Sequence, residues 1–139
     1  RHGLAFDKRF AQTGGSDLFL SEQIRQAGGE IRMASEAVVY EYYPPSRMTV
    51  RWLLRRGYRS GNNRARINID HNGQLAFLGN LPLTLAKHVK KSIEMVLLWI
   101  VHRRASYGIH ALHCFARMSG HIAAAFGQYY NEYDQIHGH

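Results

Sequence analysis

The sequence predicts an α/β fold in which short strands and helices are followed by a mainly helical tail. Strand-like patterns occur near residues 30–40, helical periodicity is strongest after residue 50, and two further helical stretches follow residue 82. The chain has 139 residues, of which 45% are hydrophobic, so its length and composition are those of one ordinary folded unit.

The first predicted elements are a short helix and two strands. Ser16-Asp17 is a helix-start signal, and Gly28-Gly29 ends a run of apolar residues at helical spacing: Leu20, Ile24 and Ala27. Residues 30–33 alternate between charged and apolar side chains, and residues 37–40 form an apolar run rich in β-branched residues. Both patterns are typical of short strands.

Residues 50–61 carry the clearest helical periodicity in the chain. One predicted face is apolar or small: Val50, Leu53, Leu54, Gly57, Tyr58 and Gly61. Another face is strongly basic, because Arg51, Arg55 and Arg59 recur four residues apart. The following segment is rich in Asn and Gly, and it predicts a loop at 67–82.

Two helical stretches follow, at roughly 83–104 and 106–130. The apolar run 95–101 lies between basic residues on both sides: Lys87, Lys90, Lys91, Arg103 and Arg104. A membrane-spanning helix needs about 20 apolar residues, so this run is too short to span. We expect amphipathic helices that pack on the domain, on a partner or on a membrane surface.

The positive charge is concentrated in the second part of the chain. The net charge is +8, and acids and bases balance within residues 1–50, so the whole excess lies after residue 50. Such a field attracts anions, whether nucleic acid, anionic lipid or diphosphate. No nucleic-acid-binding motif is visible, so we expect no nucleic-acid partner. With Cys114 as the single cysteine, no internal disulfide can form.

Several motifs occur in an order that resembles one enzyme family. They are Phe6-Asp7-Lys8-Arg9-Phe10, Thr13-Gly14-Gly15-Ser16-Asp17, the strand-like segment 34–41 and the basic helix 51–62. This order, over about residues 3–66, is similar to the second half of inverting family-two glycosyltransferases of the GT-A fold. The resemblance implies that 1–66 is the acceptor-side end of a GT-A catalytic domain, 67–82 a loop and 83–139 an amphipathic helical tail.

The same resemblance implies a function in polysaccharide assembly. It implies transfer of a sugar from a nucleotide-sugar donor to a saccharide or lipid-linked acceptor. In this family a divalent cation, Mg²⁺ or Mn²⁺, bound by an Asp-x-Asp motif holds the donor diphosphate. The sequence contains no such motif. We therefore expect that the donor-binding half precedes Arg1, that the fragment is inactive alone, and that it binds no metal.

Asp17 is the candidate catalytic residue. An inverting transfer needs a carboxylate beside the acceptor hydroxyl to take its proton, and the resemblance implies that Asp17 is this general base. Its position beside Gly14-Gly15, whose lack of side chains lets a substrate approach, agrees with that role. The alternative is that Asp17 only caps its helix.

The remaining candidates are substrate-binding residues: Gly14, Gly15, Ser16, Glu41, Arg55, Arg56 and Arg59. Many relatives have Glu where this chain has Ser16, and some have a metal-binding His where it has Glu41. Glu41 is equally well explained as a polar residue at a strand end. The three arginines could bind a nucleoside diphosphate or a lipid-linked diphosphate, or could form a solvated basic face.

A rival hypothesis is a non-catalytic basic amphipathic module that binds anionic membranes. The basic and apolar features of 83–130 predict peripheral contact with the inner face of the plasma membrane, from the cytoplasm.

His110 and His113 have a spacing compatible with a metal pair, but no Cys or acid lies at a matching interval, so we predict no metal site.

Overall fold

The computed structural model of the protein describes residues 4–6 and 15–130. Internal contacts divide the chain into two compact units. The first contains Arg1–Pro44 and Asn131–His139, and the second contains Pro45–Tyr130.

The described part of the first unit contains one helix, α1, at Ser16–Gln26. Gly15 precedes it in a left-handed conformation, with φ of 96°, which glycine adopts without steric cost. Phe19 is buried, and Gly28, also at positive φ, follows the end of the helix. The sequence prediction of a short helix ended by Gly28-Gly29 is confirmed.

Residues 30–43 contain no strand, and no strand occurs elsewhere among residues 4–6 and 15–130. The two predicted strands, and with them the predicted α/β fold as a portion of a GT-A domain, are therefore wrong for these residues. A strand exists only where its backbone groups pair with a neighbouring strand, and the apolar pattern of 30–40 does not supply that neighbour. Its side chains stay in solvent, with Met33 96% and Tyr40 94% exposed.

The second unit consists of three long helices: α2 at Val50–Asn72, α3 at Gln74–His102 and α4 at Ala105–Ala125. A short 3-10 helix, Pro45–Met48, precedes them. Thr49 caps α2, because its hydroxyl oxygen accepts a hydrogen bond of 3.2 Å from the amide of Trp52. The helices predicted after residue 50 and after residue 82 are confirmed. Helix α2 extends past the predicted periodic segment to Asn72, α3 begins earlier than predicted, at Gln74, and α4 ends at Ala125, before the predicted limit at residue 130.

The loop predicted at 67–82 is wrong. This segment is helical on both sides of Gly73, which alone separates α2 from α3 and has φ of 83°. The Asn and Gly content suggested a loop, but the apolar residues keep helical spacing and face a shared core: Ala65, Ile69, Phe77 and Leu81. Burial of these side chains against Ala124 and Ala125 outweighs the poor helix propensity of their neighbours.

Helix α4 packs along both α2 and α3, and its approach to α2 is very close. A Cβ atom added at Gly61 would collide with the carbonyl oxygen of Arg117, and one added at Gly120 would collide with that of Tyr58. The two backbones therefore touch where glycines meet. Packing of this kind depends on the absence of side chains at Gly61 and Gly120.

Asn62 fixes the register of this contact. Its side chain is fully buried, and its amide nitrogen donates to the carbonyl oxygens of Gly120, at 3.2 Å, and Gln128, at 2.7 Å. Its amide oxygen accepts from the backbone N–H of Tyr130 at 3.0 Å. One side chain thus satisfies three backbone groups at the end of α4 and beyond it.

Candidate functional site

Asp17 lies in the first turn of α1, and its side chain is exposed. The N-cap residue is Gly15, which has no side chain to accept from the helix amides. Asp17 therefore does not occupy the capping position. The site offers an accessible base on a helix.

The other candidates in the first unit are Gly14, Gly15, Ser16 and Glu41. Gly14 lies outside the described residues. Gly15 and Ser16 adjoin Asp17 at the helix start, and Ser16 is half-buried. Glu41 is exposed on non-helical backbone, and since no strand forms there, the interpretation of Glu41 as a strand-end residue is wrong.

The basic candidates Arg55, Arg56 and Arg59 lie on α2, in the second unit. Arg55 and Arg56 are exposed, and Arg59 is half-buried. The guanidinium carbon of Arg56 stands 5.2 Å from the ring centre of Trp52, a cation–π contact that restrains the side chain. The structure therefore places these bases on one helix, and none of the three lines the pocket described next.

A pocket of about 290 Å³ lies between α2, α3 and α4. Each helix contributes a polar pair four residues apart: Arg64 and Asn68, Thr84 and His88, Arg117 and His121. Lys87, Asn80 and Phe77 complete the lining. Neither Asp nor Glu belongs to the lining, so among the described residues this surface, which we call the basic pocket, carries positive charge alone.

Two histidine rings of the basic pocket lie close to each other and to its arginines, and their pKa values are lowered. The imidazole centres of His88 and His121 are 5.6 Å apart. Burial, and then the charges of Arg117 and Arg64, lower the pKa of His88. Burial, and then His88, Arg117 and Arg64, lower the pKa of His121 to about 4, so this ring is neutral at pH 7.

Two side chains of the basic pocket have polar atoms without partners. His121 is 3% exposed, yet neither of its ring nitrogens has a hydrogen-bond partner among the described residues. Within the same described part of the chain, the buried Nε of Arg117 also lacks an acceptor. Burial and then the charge of Arg64 lower the pKa of Arg117, although a guanidinium keeps its charge at neutral pH. Buried donors of this kind are costly unless something accepts from them.

The described residues contain no group of three or more His, Cys, Asp or Glu side chains that could hold a metal ion. No residue among 4–6 and 15–130 is therefore assigned to the divalent cation that the family resemblance implies. His113 is near Gly57 of α2, and burial followed by the charge of Arg117 lowers its pKa. The divalent cation remains a prediction for the complete protein.

Sequence reasoning missed the basic pocket. A signal was present, since each of the three polar pairs has the i, i+4 spacing that places both members on one helical face. The sequence alone did not indicate which helical faces meet. The pocket becomes visible only when α4 lies against α2 and α3.

None of the described helices is both long and apolar enough to cross a bilayer. Several large apolar side chains of α3 are nevertheless exposed near its end, among them Leu97, Ile100 and Val101. The bases before and after them are also exposed: Lys87, Lys90, Lys91, Arg103 and Arg104. This apolar and basic surface, which we call the α3 end surface, is available to a partner.

The chain is similar to a protein of polysaccharide biosynthesis. It is 32% identical over 85 residues to the succinoglycan biosynthesis protein ExoM of Rhizobium meliloti (strain 1021). The similarity covers 61% of this chain and 28% of that relative, so the chain spans much less than two thirds of the relative's length. No family model matches the sequence, and no solved structure matches it.

Proposed function

We propose that the protein carrying this sequence is a glycosyltransferase of polysaccharide biosynthesis. It transfers a sugar from a nucleotide-sugar donor to a saccharide or lipid-linked acceptor, with inversion at the anomeric carbon. The observation that carries the proposal is the 85-residue similarity to a succinoglycan biosynthesis protein. The accessible carboxylate of Asp17, at the start of α1, supports the same reaction class.

In the proposed reaction Asp17 acts as the general base. The acceptor hydroxyl oxygen forms a bond to the anomeric carbon of the donor, and Asp17 takes the hydroxyl proton. The bond from that carbon to the diphosphate oxygen breaks, and the nucleoside diphosphate leaves with the bonding electrons. Exposure of Asp17 gives the acceptor hydroxyl access to the carboxylate.

Arg55, Arg56 and Arg59 are proposed to contact phosphate oxygens of the donor or the acceptor. Their guanidinium groups can each present paired donors to a phosphate. Stacking of Arg56 over Trp52 restrains one of them before a ligand binds. Mg²⁺ or Mn²⁺ is proposed as a cofactor of the complete protein, and no step is assigned to it through the described residues.

The test is a transfer assay with the protein expressed from its complete reading frame. A panel of nucleotide sugars is supplied with Mg²⁺ or Mn²⁺ and with membranes that contain lipid-linked acceptors. We expect sugar transfer from one donor and a product of inverted anomeric configuration by NMR. A folded protein that transfers no sugar from any donor contradicts the proposal, and a product of retained configuration contradicts the inverting mechanism.

We also propose that the α3 end surface holds the protein against the cytoplasmic face of an anionic membrane. Exposed Leu97, Ile100 and Val101 supply an apolar contact that salt does not remove. Each basic residue near an anionic surface adds about 1 kcal/mol, which salt weakens. If this contact occurs without sugar transfer, the protein is instead a membrane-binding module, which is the second candidate function.

Vesicle co-sedimentation of the 139-residue chain tests the membrane proposal. We expect binding to vesicles containing phosphatidylglycerol, weaker binding with added salt, and weaker binding still for Ile100→Asn. Leu75→Asn is the matched control, because Leu75 is also exposed on α3 but lies at its other end. Equal binding by the two variants, or no binding to anionic vesicles, contradicts a membrane role for this surface.

A further inference from the structure

The basic pocket has the features of a site for a multiply charged oxyanion. Its walls bring Arg64, Lys87 and Arg117 from three different helices to one cavity of about 290 Å³. Repulsion between Arg64 and Arg117 opposes folding, and no acid lies in the lining to offset it. A bound anion removes this cost.

The buried atoms of the pocket point to the same class of ligand. His121 is nine-tenths buried or more, and its two ring nitrogens have no partner among residues 4–6 and 15–130. One of these nitrogens carries a proton in the neutral ring and can donate to an oxygen, as can the buried Nε of Arg117. The pocket thus offers fixed donors and positive charge together.

We infer that the basic pocket between α2, α3 and α4 binds a phosphate or diphosphate group. Arg64 and Arg117 present guanidinium groups suited to phosphate oxygens, and Lys87 adds a third positive charge. The cavity of about 290 Å³ lies at the lower end of the range of about 300–1,000 Å³ for drug-sized ligands, so it has room for a phosphate or diphosphate group.

This site differs from the basic face at Arg55 and Arg56, since neither residue lines the pocket. Its residues all belong to α2, α3 and α4, so anion binding there can be tested separately from sugar transfer. Only the source of the ligand depends on the proposed function. The diphosphate could belong to a nucleoside diphosphate or to an isoprenoid lipid, and both present the same group to the pocket.

Calorimetric titration of the 139-residue chain with inorganic pyrophosphate tests the inference. We expect binding of one pyrophosphate per chain and at least about tenfold weaker binding for Lys87→Gln and for Arg117→Gln. Lys90→Gln is the matched control, because it removes the same charge from exposed α3 outside the pocket lining. Equal weakening by Lys87→Gln and Lys90→Gln shows general charge attraction and overturns the inference.

A second readout does not depend on whether Arg117→Gln folds. Bound pyrophosphate stabilises protonated imidazole, so the pKa of His88 measured by NMR should rise when pyrophosphate is added. The other charged or titratable groups near this ring are Arg64, Arg117, His113 and His121, and Lys87 lines the same pocket. An unchanged pKa of His88 at saturating pyrophosphate places the anion elsewhere and overturns the inference.

Parallel titrations with uridine diphosphate and farnesyl diphosphate distinguish the two sources. Tighter binding of either than of pyrophosphate, with the same loss in Lys87→Gln, supports the site and identifies its natural carrier. Failure of both to compete with pyrophosphate contradicts the site as a diphosphate site of this enzyme. A protein that transfers no sugar but still binds pyrophosphate in the pocket contradicts the proposed function alone.

Discussion

The two units differ in how much of their side-chain surface is buried. In the first unit, residues 15–44 carry the motif around Asp17 but bury little, and Tyr40 and Met33 remain almost wholly exposed. In the second unit, Pro45–Tyr130 forms three helices that pack closely around small and polar residues. The motif around Asp17 therefore lies apart in the chain from the closest packing, whereas the basic candidates Arg55 and Arg56 lie on α2, in the second unit.

This contrast shows what stabilises each part. The second unit depends on a few contacts that tolerate little change: the glycines between α2 and α4, the hydrogen bonds of Asn62 and the buried ring of His121. The exposed segment 30–43 has few such contacts, so most changes there should leave stability unaltered. Substitutions in the two units measure this difference directly.

The largest loss of stability is expected at the glycine contact. Gly120→Val places its Cβ against the carbonyl oxygen of Tyr58 and must separate α4 from α2, at a cost of at least about 3 kcal/mol. Urea unfolding of the 139-residue chain measures it. Gly79→Ala is the control, since nothing lies within 4 Å of its added methyl and a helix gains about 0.5–1 kcal/mol from Ala. Comparable losses in both variants contradict the close α2–α4 contact.

Stability should also depend on pH through His121. Its folded pKa of about 4 lies below the ordinary value of 6.5, so the unfolded chain binds more protons between these values. Stability is therefore fully present above pH 6.5 and is lost as pH falls towards 4, by up to about 3 kcal/mol. The charges facing the ring are Arg64, His88 and Arg117.

Unfolding curves at several pH values check this dependence, with His121→Gln and His110→Gln compared. The His121 variant should lose much of the dependence, whereas the His110 variant should keep it, because His110 is exposed on α4. If both variants retain the full dependence, another group causes it.

Removal of the buried amide should have a smaller effect. Asn62→Ala leaves the carbonyl oxygens of Gly120 and Gln128 and the amide of Tyr130 without their partner, at a cost of about 2–3 kcal/mol. Chemical denaturation measures the loss. Asn80→Ala is the control, because it removes only an exposed hydrogen bond to the carbonyl oxygen of Ala76 in the same helix. The free energy of unfolding should then change by less than about 0.5 kcal/mol.

The smallest effects are expected from tyrosines, and they separate the two units. Tyr58→Ala removes an edge-to-face contact with Tyr130, with ring centres 5.7 Å apart, worth about 0.5–1.5 kcal/mol beyond burial. Tyr40→Ala in the first unit should change stability by less than about 0.5 kcal/mol because the ring is exposed. A larger loss for Tyr40→Ala than for Tyr58→Ala contradicts the comparison.

Helices were predictable from the sequence where apolar spacing was regular. The helix starting at Ser16 follows from a start signal and spaced apolar residues, and the one starting at Val50 follows from its repeated apolar residues. The strands at 30–40 were mispredicted because a local pattern cannot supply the partner strand that makes a sheet. The loop at 67–82 was mispredicted because burial of residues such as Phe77 overrode the Asn and Gly content.

Candidate residues could be named from the sequence only where they lie within one continuous segment. The family resemblance, rather than the local pattern, indicated Asp17 as the base, whereas the basic face that contains Arg55 followed from the four-residue spacing of its arginines. The basic pocket joins Arg64, Lys87 and Arg117, which are far apart in sequence, and no local pattern states that three helices bring them together. The close backbone packing at Gly61 and Gly120 is likewise a tertiary property that no local pattern predicts.

The most direct test of the account is the turnover of Asp17→Asn in the protein expressed from its complete reading frame. The account predicts a loss of about 10²–10⁴-fold in sugar transfer, with donor affinity and urea stability nearly unchanged, because the exposed carboxylate acts as base rather than as a cap. Glu36→Gln, another exposed acid of the first unit, should keep normal turnover. Near-normal turnover of Asp17→Asn would contradict the account.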